Sequence, residues 1–179
     1  MDQYQIVVLG DTTESKYNTS TIDTIDDAFE MKLMIDNLPC VVKLLDGNKT
    51  DALILVYSII SFEKFRRIEH YCKKIFNSIT RTTFSTPIII VGDNLDKVNE
   101  REVSRNEGLQ LAEKYKCEFL EVSTKTALNV EKCIHTLVRM IRRNNEDEKN
   151  MNLKDWNGKE RNQDTKIMKC NIFKNVLEM

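Results

Sequence analysis

Apolar positions along this chain change period several times, and each change marks off an element. Ile6-Val-Val-Leu9 is a short continuous apolar run that stops at Gly10, which predicts a buried strand. Residues 10–23 are polar and carry no stripe. Glu30 to Asp36 alternates in part, Asn37-Leu-Pro39 supplies turn residues and Cys40 to Leu45 turns apolar again, the pattern of a hairpin. Asp46 to Thr50 is a further turn, and Ala52 to Ser58 is a second continuous strand. Ser61 caps a predicted helix in which Phe62, Phe65, Ile68, Cys72, Ile75, Phe76 and Ile79 recur at helical spacing. Thr82 to Pro87 interrupts it, and Ile88 to Val91 predicts another buried strand closed by Gly92.

A second helix is predicted over Glu102 to Tyr115, with Val103, Leu109, Leu111, Ala112 and Tyr115 facing inward. Cys117 to Val122 reads as a short strand, and Asn129 opens a third helix with Val130, Cys133, Ile134, Leu137, Val138 and Ile141 inward. From Arg142 the pattern dissolves into charged and amide residues. The expected organisation is one domain over 1–145 and a flexible polar tail over 146–179. Strands alternating with helices predict an α/β fold, a mostly parallel sheet covered on both faces. In such a sheet the turns at Gly10, Asp46, Gly92 and Ser123 gather along one rim, where ligands bind.

Composition narrows the classes. The chain has 179 residues, 41% of them apolar, enough for a core, and no run near the ~18 apolar residues of a membrane span. Its 27 basic and 28 acidic residues are interspersed, unlike the one-sided basic field of a nucleic-acid binder. No basic-then-apolar leader is visible. The five cysteines are odd in number and widely spaced, as expected for reduced thiols of an intracellular, cytoplasmic protein, with Cys40, Cys72 and Cys133 as core fillers. His70 and His135 have no second ligand at metal spacing.

The segment after the first strand carries the candidate chemistry. Gly10 and Lys16 stand at the spacing of a phosphate-binding loop, Gly-x4-Gly-Lys-Ser/Thr, whose backbone amides, lysine and hydroxyl hold phosphates and Mg²⁺. Between them lie Asp11, Thr12, Thr13, Glu14 and Ser15, with Ser15 in place of the second glycine and Tyr17 in place of the hydroxyl residue. Taken alone, this half-match also fits a strand running into an ordinary polar turn.

Four further segments, in order, give the chain from about Gln3 to Arg143 a resemblance to a Ras-type small GTPase. Thr24-Ile-Asp-Asp-Ala-Phe29 resembles the first switch and effector segment, and Leu44-Leu-Asp46 the end of the third strand. Val91-Gly-Asp-Asn-Leu-Asp96 is similar to the guanine-reading Asn-Lys-x-Asp, and Glu121-Val-Ser-Thr-Lys-Thr126 to the Ser-Ala-Lys segment. The resemblance implies GTP or GDP with Mg²⁺ as ligand. The loop 10–17 together with Asn94, Asp96, Ser123, Thr124 and Lys125 would bind the nucleotide, and Thr24 and Asp46 would serve the metal. Thr24, Ile25, Asp26, Asp27 and Phe29 would meet effector or regulator proteins, within a contact segment running to Ile35.

Two pieces of that family's machinery are absent. Only seven residues separate Lys16 from Thr24, too few for the first helix, whose N-terminus would favour a phosphate. After Asp46 the next strand begins within a few residues, with no second helix and no glutamine to orient water. No catalytic residue is therefore assigned, and the expectation is that hydrolysis is lost and nucleotide binding weakened. Asp93 and Asn94 also replace the Asn and Lys of the base-reading loop. The alternative is a nucleotide-free pseudo-GTPase acting as an interaction module. Cys170-Asn-Ile-Phe173 has the form of a prenylation box, but six residues follow it, so lipid anchoring is not expected; whether the tail touches a membrane is left open.

Overall fold

The computed structural model describes residues 1–10, 29–45, 50–79 and 86–154. Strands β1 (Asp2–Gly10), β2 (Phe29–Ile35), β3 (Leu38–Leu45) and β4 (Ala52–Ser58) precede helix α1 (Phe62–Ile79). Strand β5 (Ile88–Asp93), a 3₁₀ turn (Leu95–Glu100), α2 (Arg105–Tyr115), β6 (Glu118–Glu121) and α3 (Val130–Lys154) complete the described chain. The strands form one six-stranded sheet in the order β2-β3-β1-β4-β5-β6. Every neighbouring pair is parallel except the β2–β3 hairpin. The expected α/β, mostly parallel sheet is what forms.

Each face of the sheet is covered by a different set of helices. Ile6, Val42, Ile54, Val56, Ile89 and Val91 pack beneath Cys133, Ile134, Leu137, Val138 and Ile141 of α3. Val7, Leu9, Leu53, Leu55 and Ile90 pack on the other side beneath Phe65, Ile68, Cys72 and Ile75 of α1 and Leu111 and Ala112 of α2. All of β4 and β5 is buried, as expected of central parallel strands covered on both faces. Toward β2 the cover thins, and Val8, Met31, Leu33 and Leu44 are only partly buried.

Several boundaries move from the sequence-based expectation. The hairpin turns at Asp36-Asn37, with φ of 54° and 60°, and Leu38 and Pro39 already belong to β3. Two successive left-handed residues match the twist of a two-residue hairpin, and Asp and Asn tolerate that conformation best among non-glycines. Helix α2 starts later than expected because Ser104 caps it through a capping box, exchanging bonds with Glu107. Val103, fully buried, therefore packs from the approach to the helix. Replacing Ser104 with alanine is expected to cost about 1 kcal/mol, read as a shift of the urea midpoint at unchanged slope.

Phe62 faces outward at the start of α1. Helix α3 continues past its apolar stripe to Lys154. Its outer turns are tied to the hairpin: Arg139 forms a two-pronged ion pair with Asp36, and Arg142 donates to the Ile35 and Leu38 carbonyls. The tail beyond 154, including the Cys170–Phe173 box, lies outside the described residues. Cys40, Cys72 and Cys133 are core residues, and burial pushes the Cys72 and Cys133 thiols up to about 12. No described helix is long and apolar enough to cross a membrane.

Candidate functional site

Strand register gathers part of the predicted site on one rim. Gly10 pairs with Val56, Val56 with Val91 and Val91 with Leu120. The C-terminal ends of β1, β4, β5 and β6 are therefore level, and Gly10 stands about 10 Å across the sheet from β5, two strand spacings. Gly10 has a structural reason to be glycine. A Cβ there would collide with the Val56 carbonyl oxygen and lie 2.9 Å from the Val56 Cβ. Close approach of β4 alone requires the residue, so its identity does not by itself argue for a phosphate.

The best-defined part of the rim lies beyond β5 and β6. Asp93 ends β5 and is buried, while Asn94 follows in the left-handed conformation, φ 70° and ψ 34°. The Asn94 side chain turns into the protein, where its Oδ1 accepts a 2.6 Å bond from the buried Ser58 hydroxyl at the end of β4. That position lets the chain enter the 3₁₀ turn, whose first residues are Leu95 and Asp96. The Leu95 amide donates to the Val122 carbonyl, and the Val122 amide to the Gly92 carbonyl. These two bonds hold the loops after β5 and β6 side by side.

The polar side chains between the loops pair with each other. Ser123, fully buried, donates its hydroxyl to Asp96 Oδ1 at 2.5 Å and accepts the Thr126 amide at 3.2 Å. The Ser123 bond holds the exposed Asp96 carboxyl below the usual carboxylate range, so it is ionised at neutral pH. The Thr124 amide and hydroxyl donate to the two Asp93 carboxylate oxygens, at 2.9 and 2.8 Å. Asn129, at φ 61°, closes the loop by donating its side-chain amide to the Glu121 carbonyl. Lys125 is exposed on the same loop.

Of the sequence-predicted residues, Asn94, Asp96, Ser123, Thr124 and Lys125 thus come together, with Gly10 farther along the rim. Asp11 to Tyr17, Thr24 to Asp27 and Asp46 lie outside the described residues. Phe29 begins β2 opposite Leu44. Ser58 and Asn129 were not among the expected residues, although a polar side chain ending the apolar β4 run was a visible signal. Among the described residues, no three His, Cys, Asp or Glu cluster as a metal site.

The rim can be compared with what a guanine base offers, N–H donors on one edge and the O6 and N7 acceptors on another. Asp96, ionised and exposed, suits the donor edge. The acceptor edge needs donors, and the Thr124 donors are already taken by Asp93. The fit is therefore partial.

Comparison with known proteins supplies the ancestry. Residues 47–143 match the Ras family model. The chain is 32% identical to Ras-like protein 1 of Pyricularia oryzae, with 78% of this chain and 75% of that protein covered. It is 33% identical to protein ras-2 of Neurospora crassa, over 78% and 80%, and 31% identical to the Ras-like protein of Laccaria bicolor, over 83% and 82%. The first two alignments run over 181 and 186 positions, more than the chain's 179 residues, so this chain is matched across gaps. With the mostly parallel sheet, the level rim and these relatives, the chain belongs to the Ras family of small GTPases.

Proposed function

We propose that this chain is a Ras-like guanine-nucleotide-binding protein of intracellular signalling that has lost hydrolysis and binds GTP or GDP with Mg²⁺ only weakly. The observation that carries the reading is the register around β1. Leu45 pairs with Val7 and Ala52 with Ile6, so β3 ends and β4 begins at nearly the same level on opposite sides of β1. Only six residues, 46–51, separate the two strands in the chain, where a parallel crossover ordinarily takes a dozen or more. Thr50 and Asp51 are already committed to β1: the Asp51 amide donates to the Gln5 carbonyl, the Gln5 amide donates to the Asp51 carboxylate, and the Thr50 hydroxyl reaches the same carbonyl. None of the six residues is a glutamine. Phosphoryl transfer relies on positioning water and stabilising charge, and this connection lacks the glutamine that would do the first.

The metal roles of Thr24 and Asp46 and the phosphate role of Lys16 belong to the same proposal. Its test is direct: purify the full chain, assay the denatured supernatant for guanine nucleotide, and titrate GTP and GDP with Mg²⁺ by calorimetry. Substoichiometric nucleotide, affinity in the micromolar range or weaker and phosphate release no faster than buffer are expected. Stoichiometric nucleotide with steady hydrolysis would overturn the reading.

A second reading, a nucleotide-free interaction module, is favoured by the position of β2 at the edge of the sheet. An edge strand offers main-chain groups for strand addition by an effector or regulator. Replacing Asp26 and Asp27 with lysine should then weaken capture of such a partner, and an unchanged pull-down would count against it.

A further inference from the structure

We infer that the outer edge of β2 is a surface for a second copy of this chain, whose own β2 pairs with it antiparallel about Met31 and joins the two sheets into one. Among the described residues no strand pairs with that edge. The seven residues Phe29–Ile35 contain neither proline nor glycine, so nothing in the backbone interrupts an added ladder. The strand has two unlike faces. Met31, Leu33 and Ile35 pack toward α3. Side chains alternate along a strand, so Glu30, Lys32 and Met34 point to the opposite face, where all three are exposed.

Charge selects both the occupant and the register. A lone lysine ordinarily guards an edge strand against pairing, and Lys32 has no ionic partner among the described residues. Glu30, two positions earlier, makes that lysine complementary to a second β2. A two-fold axis perpendicular to the sheet keeps α3 of both copies on one face, and it passes through one residue of β2. Centred on Glu30 it sets glutamate against glutamate, and centred on Lys32 it sets lysine against lysine. Like charges directly opposite are destabilising. Centred on Leu33 it brings Lys32 opposite Met34. Centred on Met31, it places Glu30 of each copy opposite Lys32 of the other, two favourable pairs.

The surroundings suit that register. Glu30 is paired on its inner side with Lys43 at 3.2 Å, yet its side chain remains 44% exposed, so it can take a second cation. On the other face Met31 and Leu33 are only partly buried, and a second strand beside them removes apolar surface from water. One strand from each copy is a small contact, so the dimer is weak and reversible. The edge cannot hold an effector strand at the same time, so self-association and effector capture compete. None of this depends on whether nucleotide binds.

Sedimentation equilibrium of the full chain under reducing conditions is expected to show the mass rising from one chain toward two as concentration increases. Lys32→Glu and Glu30→Lys each set like charges opposite one another at both positions, and each is expected to weaken association by about tenfold or more. An equimolar mixture of the two variants restores unlike charges at both positions and is expected to associate again. A thermal unfolding curve for each variant checks its fold. Should Glu30→Lys fail to fold for want of its pair with Lys43, Glu30→Lys with Lys43→Glu keeps that pair reversed and takes its place. A native chain that stays monomeric at every concentration overturns the inference and leaves the edge to a partner of another kind. A dimer that the variants leave unchanged also overturns it, as does a mixture that stays monomeric.

Discussion

Replacing Glu121 with alanine is expected to lower the stability of the native chain by about 3 kcal/mol. Glu121 ends β6 with its side chain only 7% exposed, and it takes two bonds from Arg101, at 2.6 and 3.1 Å. Arg101 also donates to the Val103 carbonyl, so the pair joins the end of the 3₁₀ turn to the sheet just before α2 begins. Removing the carboxylate strands a guanidinium whose side chain is 21% exposed. Breaking a buried pair costs about 3–5 kcal/mol, most of it from the charge left without a partner. The partial exposure of Arg101 places the expectation at the low end.

The same reasoning predicts what removing both charges together does. Arg101→Met with Glu121→Leu removes both charges and fills much of the volume, and should lose far less than Glu121→Ala alone. Urea unfolding of the native chain, Glu121→Ala and the double variant measures this. A loss below about 1 kcal/mol for Glu121→Ala would mean that solvent screens the pair as it does a surface ion pair.

Gly108→Ala is the second large effect. Glycine inside a helix is ordinarily about 1 kcal/mol worse than alanine, so the substitution should stabilise α2 if nothing stood in the way. Here an added methyl would run into the Tyr57 hydroxyl and lie 2.6 Å from Phe119 Cζ. Tyr57 is fully buried on β4 and held edge-on against Phe65, with ring centroids 5.0 Å apart, so it has nowhere to retreat. Overpacking of this kind costs about 1–3 kcal/mol, and a net loss of about 2 kcal/mol is expected.

Tyr57→Phe tests the cause. The Tyr57 hydroxyl has no hydrogen-bond partner among the described residues, and its burial, with the nearby Glu121 charge, pushes its pKa well up. Deleting an oxygen without a partner is expected to be neutral or mildly stabilising. In the Gly108→Ala background the deletion also removes the atom in collision, so the double variant should recover at least half of the loss. Equal losses with and without the Tyr57 oxygen would place the strain at Phe119 instead.

The elements of this fold were legible because burial imposes a period on the sequence. Ala52 to Ser58 and Ile88 to Val91 read as central strands since both faces are covered, and the apolar stripe from Val130 to Ile141 lies on the sheet as expected. The ordered motifs were enough to indicate the family, and Asp96, Ser123 and Lys125 do share one rim. Boundaries were less legible where a side chain or a backbone angle decides them. Ser104 delays α2 through its bonds to Glu107, and Asp36 and Asn37 turn the hairpin before the proline expected to mark it.

Pairing across the sheet was beyond the sequence, because it depends on which residues distant in the chain end up side by side. Composition cannot say that Leu45 and Ala52 stand almost level on either side of Val7 and Ile6, which is why so short a connection can join parallel strands. Nor could it say that Gly10 is required by the approach of Val56, or that Ser58 reaches Asn94. The sequence showed that an aspartate had replaced an asparagine at position 93. Only the tertiary structure joined that carboxylate to both donors of Thr124, thirty-one residues away, because a hydrogen bond is decided by distance and direction in space.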